Sequence, residues 1–211
     1  MKLYHQFVED VISGEQLSNK FVINAVQRHL SDMEKSKSEE YPYVFDEQKA
    51  DRVIKIIKRM RHTGGSFAGK PFDLQTFQGF IIASLFGWIR KDNGLRRFQK
   101  CYIETAKKSG KSEFMAALEV YMGFFDGEAG SQIYTAATKR SQADHVFRPA
   151  KQMLSNLMKE SPKLKSIARV MRNEIINTAN NSFIKTLTSD SATEDGMNVH
   201  FGVADEYHAM K

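Results

Sequence analysis

Three consecutive residues, Gly110, Lys111 and Ser112, combine a backbone that can approach an anion, an ammonium that can neutralise it and a hydroxyl that can bind a hard cation. They lie between an apolar run, Cys101–Ile103, and a helix-favouring run from Glu113 to Phe125. Strand, tight basic loop and helix form the frame of a phosphate-binding loop, whose full pattern is G-x-x-x-x-G-K-[ST]. The stretch Thr105, Ala106, Lys107, Lys108, Ser109, Gly110, Lys111 and Ser112 departs from the pattern at Thr105, which stands where the first glycine belongs. On this reading the free N–H groups and positive dipole end of the following helix face the anion. Lys111 meets β/γ-phosphate charge and Ser112 holds Mg²⁺. A solvated basic turn explains the same letters.

A second stretch bears on the choice. Val199–Ala204 reads as an apolar strand that ends in two carboxylates, Asp205 and Glu206. In this Walker-B form Asp205 orders water on Mg²⁺ and Glu206 polarises the attacking water. A strand followed by a charged turn is the plainer account, but a Gly-Lys-Ser loop upstream weighs against it. The two stretches together predict an ATPase that uses ATP and Mg²⁺. Upstream again, Phe77 and Gln78 can bracket adenine: the ring stacks, and the amide reads the base edge with one donor and one acceptor. A capped hydrophobic helix accounts for those two residues equally well.

The elements that must position these groups follow from pattern. Residues 1–64 read as helical, and 65–211 as the core that carries the phosphate loop. Ser18 or Asn19 can cap a helix to about Lys35, with Val22, Val26, Leu30 and Met33 on one face and His29 at its edge. A polar linker, Ser36–Tyr43, precedes a helix capped by Asp46 and lined by Val53, Ile54, Ile57 and Met60. Thr63–Ser66 marks a loop and a boundary. Gly79–Ile89 reads as a buried helix. Ser131–Ala137 reads as a second core strand, followed by a helix with Val146, Ala150, Met153, Leu154 and Leu157 on one side and Pro149 inside it, where a kink is expected. Three β-like stretches come next, Ile167–Met171, Glu174–Thr178 and Ser182–Thr188, with Asn180-Asn181 as a turn. Strands alternating with helices predict an α/β core with a largely parallel sheet.

Composition sets outer bounds. The 211 residues fit one domain, or one domain with an appendage. No apolar run is long enough to span a bilayer, and the N-terminus has no signal-peptide core, so no membrane role is expected and a cytoplasmic location is. Cys101 is the single cysteine, which excludes an internal disulfide; its place on the expected strand makes it a small hydrophobe. A net charge of +6 permits nucleic-acid contact without demonstrating it.

These residues also carry a family resemblance. The chain resembles the N-terminal ATPase part of the large terminase subunit of tailed bacteriophages. The matching pieces come in the family's order: Gly69–Gln78, Leu85–Trp88, Gly94–Phe98, Ala106–Ser112, Gln142-Ala143, Asp195–Asn198 and Asp205–His208. The loop without its first glycine is a habit of that family. The resemblance implies a P-loop NTPase fold of the ASCE type, with a mostly parallel sheet flanked by helices and a helical N-terminal region. By position it makes Phe77 and Gln78 the adenine motif, Lys111 and Ser112 the phosphate and magnesium residues, Asp205 the Walker-B acid and Glu206 the catalytic carboxylate. It further implies a motor that drives double-stranded DNA, without sequence preference, into a procapsid in the host cytoplasm. The implied partners are the portal protein, the small terminase subunit and other copies in a ring.

Departures from the family are specific. Lys107 stands where an arginine is common, and lysine lacks the planar fork. Asp195 stands where some members carry an arginine finger, leaving Arg140, Arg169 and Arg172 as candidates. The chain stops five residues after Glu206, where family members continue with a coupling motif, further strands and a nuclease domain. The resemblance therefore implies a core incomplete at its C-terminus, binding ATP–Mg²⁺ weakly and without sustained hydrolysis. Two alternatives remain: a helicase-type translocase, which shares the Asp-Glu-x-His signature, and a nucleotide-binding remnant without turnover.

Overall fold

A computed structural model describes residues 1–138, 140–187 and 196–207. Backbone contacts group the chain into two compact units, Met1–Ile56 with Asp73–Glu104, and Ile57–Phe72 with Thr105–Lys211.

The first unit is mainly helical. Helices α1 (Leu3–Ser13) and α2 (Lys20–Lys35) are followed by a short strand β1 (Tyr43–Phe45) and α3 (Glu47–Ile57), whose last residue falls to the second unit. Capping sets two helix starts: Asn19 Oδ1 accepts from the N–H groups of Phe21 and Val22, and Asp46 Oδ1 accepts from Lys49. Tyr4, Phe7, Val8 and Val11 of α1 pack with Val26, Ala50, Phe80 and Ala83 into one core.

Three expectations need correction in this unit. The region is interrupted by β1 and so is not all-helical. On α2 the buried face runs through Val26, His29 and Asp32, while Leu30 is exposed. The two polar residues are buried because each has partners: Trp88 Nε1 donates to His29 Nδ1 at 3.1 Å, and Arg97 Nη1 donates to Asp32 Oδ2 at 2.7 Å. The helix expected over Gly79–Ile89 is α4 (Thr76–Ile82), a π turn (Ala83–Gly87) and strand β2 (Trp88–Arg90), which pairs antiparallel with β1. Gly87 permits this, since a Cβ there would lie 2.4 Å from the Phe45 ring.

The second unit holds a five-stranded sheet. Helix α5 (Lys111–Phe124) precedes β3 (Gln132–Ala136), α6 (Arg140–Glu160), α7 (Pro162–Ile167), β4 (Ala168–Val170), β5 (Glu174–Asn177), β6 (Ser182–Leu187) and β7 (Val199–Ala204). The strand order is β4-β5-β6-β3-β7. β3 runs parallel to both β6 and β7, whereas β4, β5 and β6 form an antiparallel meander. The expected turn closes β5 onto β6, with Asn181 left-handed at φ 57°. Gly123 lets α5 lie close on the sheet: a Cβ there would be 3.3 Å from Ile184 and 3.4 Å from Ile133. The expected face of α6 is buried from Val146 to Leu157, and Pro149 lies inside the helix.

The strand expected at Cys101–Ile103 is not formed. Residues 101–106 have no regular structure, Cys101 is exposed and free, and Tyr102 is 72% exposed. No strand among the described residues pairs with this run, so its backbone groups have no ladder to join, and three apolar residues bury too little to hold it flat. The reading of Cys101 as a buried hydrophobe falls with it.

Candidate functional site

The site lies where β7 ends and α5 begins. The ladder between β3 and β7 extends one residue past the strand, because the Asp205 N–H donates to the Ala136 carbonyl at 3.1 Å. This fixes Asp205, only 7% exposed, at the strand tip. Glu206 then turns sharply, at φ 53°, with its N–H donating to Asp205 Oδ1 at 3.1 Å. A left-handed conformation costs a non-glycine residue about 1–2 kcal/mol.

The basic loop closes on itself before α5. Ser109 Oγ donates to Thr105 Oγ1 at 2.7 Å, and Ser109 N–H to the Ala106 carbonyl at 3.3 Å. Thr105 therefore ties the loop with its side chain where the usual pattern has a glycine. Gly110, at φ 80°, takes the left-handed turn that starts α5, whose first bond runs from Phe114 N–H to the Gly110 carbonyl. Ala106, Lys107 and Lys108 are exposed, and Lys108 is also left-handed at φ 67°.

The two halves meet. Lys111 Nζ lies 3.0 Å from Asp205 Oδ1 and 3.5 Å from Glu206 Oε1. Burial works against the ammonium, but bonding to Asp205 and the charges of Asp205 and Glu206 prevail, so its pKa is raised. Ser112, half-buried, is next along the helix.

The first turn of α5 has an anchor that sequence reasoning did not find. Glu113 Oε1 accepts from Thr63 N–H (2.6 Å), Thr63 Oγ1 and Gly64 N–H (3.1 Å), while Oε2 lies 2.7 Å from His62 Nδ1. Burial would raise its pKa, yet the bonds from His62 and Thr63 outweigh burial and the net shift is downward. An acid in the first turn of a helix was the available signal. Two turns on, Glu119 is fully buried; it accepts from Thr135 Oγ1, and its Oε2 has no partner. At the far end of the same two elements, His200 Nε2 of β7 lies 2.9 Å from Asp126 Oδ2, just past α5.

Phe77 and Gln78 stand on α4 in the first unit. Phe77 packs against the α1 core. Gln78 is 4% exposed, and its Oε1 accepts from the Gln75 N–H at 2.9 Å. Of the arginine candidates, Arg169 donates Nη1 to the carbonyls of Ser166 and Ala168. Arg172 has its carbonyl bonded by Lys151. The Arg140 side chain, Asp195 and His208 lie outside the described residues.

The site thus combines a parallel β3–β7 pair, a basic loop opening a helix and a lysine held against two strand-end carboxylates. The chain belongs to the family described as terminase large subunit, ATPase domain, whose profile matches residues 76–211. Among solved structures it is similar to the large terminase of the HK97 bacteriophage, with 24% identity and a TM-score of 0.58. That match covers 74% of this chain and 30% of the HK97 protein, so the chain spans under a third of that relative's length. Comparison with curated protein sequences finds no match.

Proposed function

We propose that this chain carries the ATP-hydrolysing site of a viral DNA-packaging motor. The observation that carries the reading is the 3.0 Å approach of Lys111 to Asp205, two residues 94 positions apart that the sequence assigned to the two halves of one site. The loop Thr105–Ser112 receives the phosphates and Lys111 neutralises them. Glu206 orients and polarises the attacking water. Phe77 and Gln78 match the family's adenine motif by position, although Phe77 packs against the α1 core and Gln78 Oε1 accepts from the Gln75 N–H.

The donor set suits magnesium. Asp205 offers a carboxylate that already has a cation, the Lys111 ammonium, against it, and Ser112 offers a hydroxyl; both are hard oxygen donors. Among the described residues no group of three or more His, Cys, Asp or Glu side chains assembles, so the ion would rest on these two residues and the phosphates. When bound, Mg²⁺ would offset charge on the transferred phosphoryl group. Asp205 holds its place through the backbone bond to Ala136, and Glu206 is aimed by its left-handed turn.

The net charge of +6 suits a motor that grips double-stranded DNA through phosphates, without reading bases. Portal, small subunit and sister copies in a ring are the partners, and the host cytoplasm the place of action. No helix among the described residues is long and apolar enough to cross a membrane.

Two substitutions test the site. Lys111→Ala abolishes ATP–Mg²⁺ binding, because it removes a ground-state contact. Glu206→Gln keeps binding and stops phosphate release, because its contact forms only in the transition state. Calorimetry and a phosphate-release assay separate the two. Undiminished turnover in Glu206→Gln would place the base elsewhere.

A further inference from the structure

Residues 60–72 form a narrow hairpin-like loop in the second unit. Phe72 N–H donates to the Met60 carbonyl, His62 N–H to the Lys70 carbonyl and Gly69 N–H to the His62 carbonyl. Arg61 braces it, with Nη1 on the Gly69 carbonyl and its other nitrogens on Glu160. The His62 ring stacks on Phe72 at 4.5 Å. One side of the loop is bonded to α5 through Glu113, the residue directly after Ser112.

The tip of this well-held loop carries a large aromatic in the open. Phe67 is 57% exposed, on a single 3-10 turn (Gly65–Phe67) closed by Ala68 N–H on the Gly65 carbonyl, and its own carbonyl accepts from Lys70 N–H. The Lys70 ammonium lies 5.2 Å from the centre of its ring, and the His62 ring 5.7 Å away. A Cβ at Gly64, Gly65, Gly69 or Gly110 would meet nothing within 4 Å, so both the hairpin tip and the phosphate loop border open space. Phe67 is three residues from Gly64, which bonds Glu113; chain geometry keeps it within about 11 Å of that anchor.

We propose that Phe67 is a stacking platform for the base of the nucleotide whose phosphates occupy Thr105–Ser112. The inference rests on that phosphate reading. Gln78 and Phe77 are taken up by α4 and its core, whereas Phe67 offers a ring to solvent beside the start of α5. Lys70 adds positive charge next to it. Base stacking on an aromatic ring tolerates any base, so the platform adds affinity without choosing among nucleotides.

The test compares a ligand with a base and one without. ATP–Mg²⁺, GTP–Mg²⁺ and tripolyphosphate–Mg²⁺ are titrated into the whole chain and into Phe67→Ala, Phe67→Trp and Lys111→Ala. Phe67→Ala weakens both nucleotides at least about fivefold, from the usual strength of base stacking. It leaves tripolyphosphate unchanged, and Phe67→Trp restores the nucleotides. Unchanged ATP affinity in Phe67→Ala overturns the platform, and so does an equal loss of tripolyphosphate. If Lys111→Ala binds every ligand as the unaltered chain does, the phosphate reading fails, and the platform falls with it.

Discussion

Glu119 is the one charged residue between Phe114 and Phe125, and it is buried between α5 and β3 with one oxygen unpartnered. Burial pushes its carboxyl up to about 8, against the weaker pull of the Thr135 hydroxyl. The folded chain thus keeps this proton to about pH 8, while the unfolded chain releases it near 4.5. Its contribution to stability is complete below the lower value and declines as pH rises through the upper one. Thermal melts at about pH 6 and about pH 9 should therefore show a larger loss for the unaltered chain than for Glu119→Gln; equal losses would clear Glu119 of the effect. A lone acid in an apolar helix was visible in the sequence, but its partner on β3 was not. The same holds for Glu113 and His62. Lys111, Asp205 and Glu206, which the structure brings together, could be singled out because the chemistry proposed for them calls for fixed neighbours along the chain. Contacts that tie one element to another leave no such local trace.

At the scale of elements, packing decided what periodicity left open. Gly79 of α4 sits against α1: a Cβ there would be 2.6 Å from Leu3 Cβ and 3.5 Å from the Tyr4 nitrogen. Leu3 Cβ is anchored to its backbone and cannot swing aside. Gly79→Ala should therefore destabilise by about 1–3 kcal/mol, as overpacked sites do, despite the better helix propensity of alanine. Urea unfolding measures it, and a stabilised variant would show that α1 can shift freely. Two capped helices and the β5–β6 hairpin were readable because Asn19, Asp46 and the Asn180-Asn181 turn are local signals. The π turn before Trp88 was not, since Phe45 and Gly87 meet only once β1 and β2 pair. Cys101–Ile103 misled for the converse reason: an apolar run becomes a strand only where a neighbour accepts its ladder.

Across the whole molecule, an excess of +6 draws polyanions, and the exposed Lys107 and Lys108 draw them to the loop. The Lys111 ammonium, which we propose meets the phosphates, is nevertheless already paired inside the chain with Asp205 and Glu206. On the proposed reading, loading the site would be an ion exchange: one cation leaves the strand-end carboxylates only as another arrives to replace it. A nucleotide stripped of its metal would then bring negative charge to a place that has just lost its counter-charge, and would be turned away. Titrations with ATP in excess EDTA should show binding at least about tenfold weaker than with Mg²⁺, a gap of about 1.4 kcal/mol. Asp205→Asn should narrow that gap, because the lysine is then held by one carboxylate fewer. Equal affinity with and without metal in the unaltered chain would mean that the internal pair does not guard the door. If it does, the chain sorts metal-loaded fuel from bare nucleotide before any bond is broken.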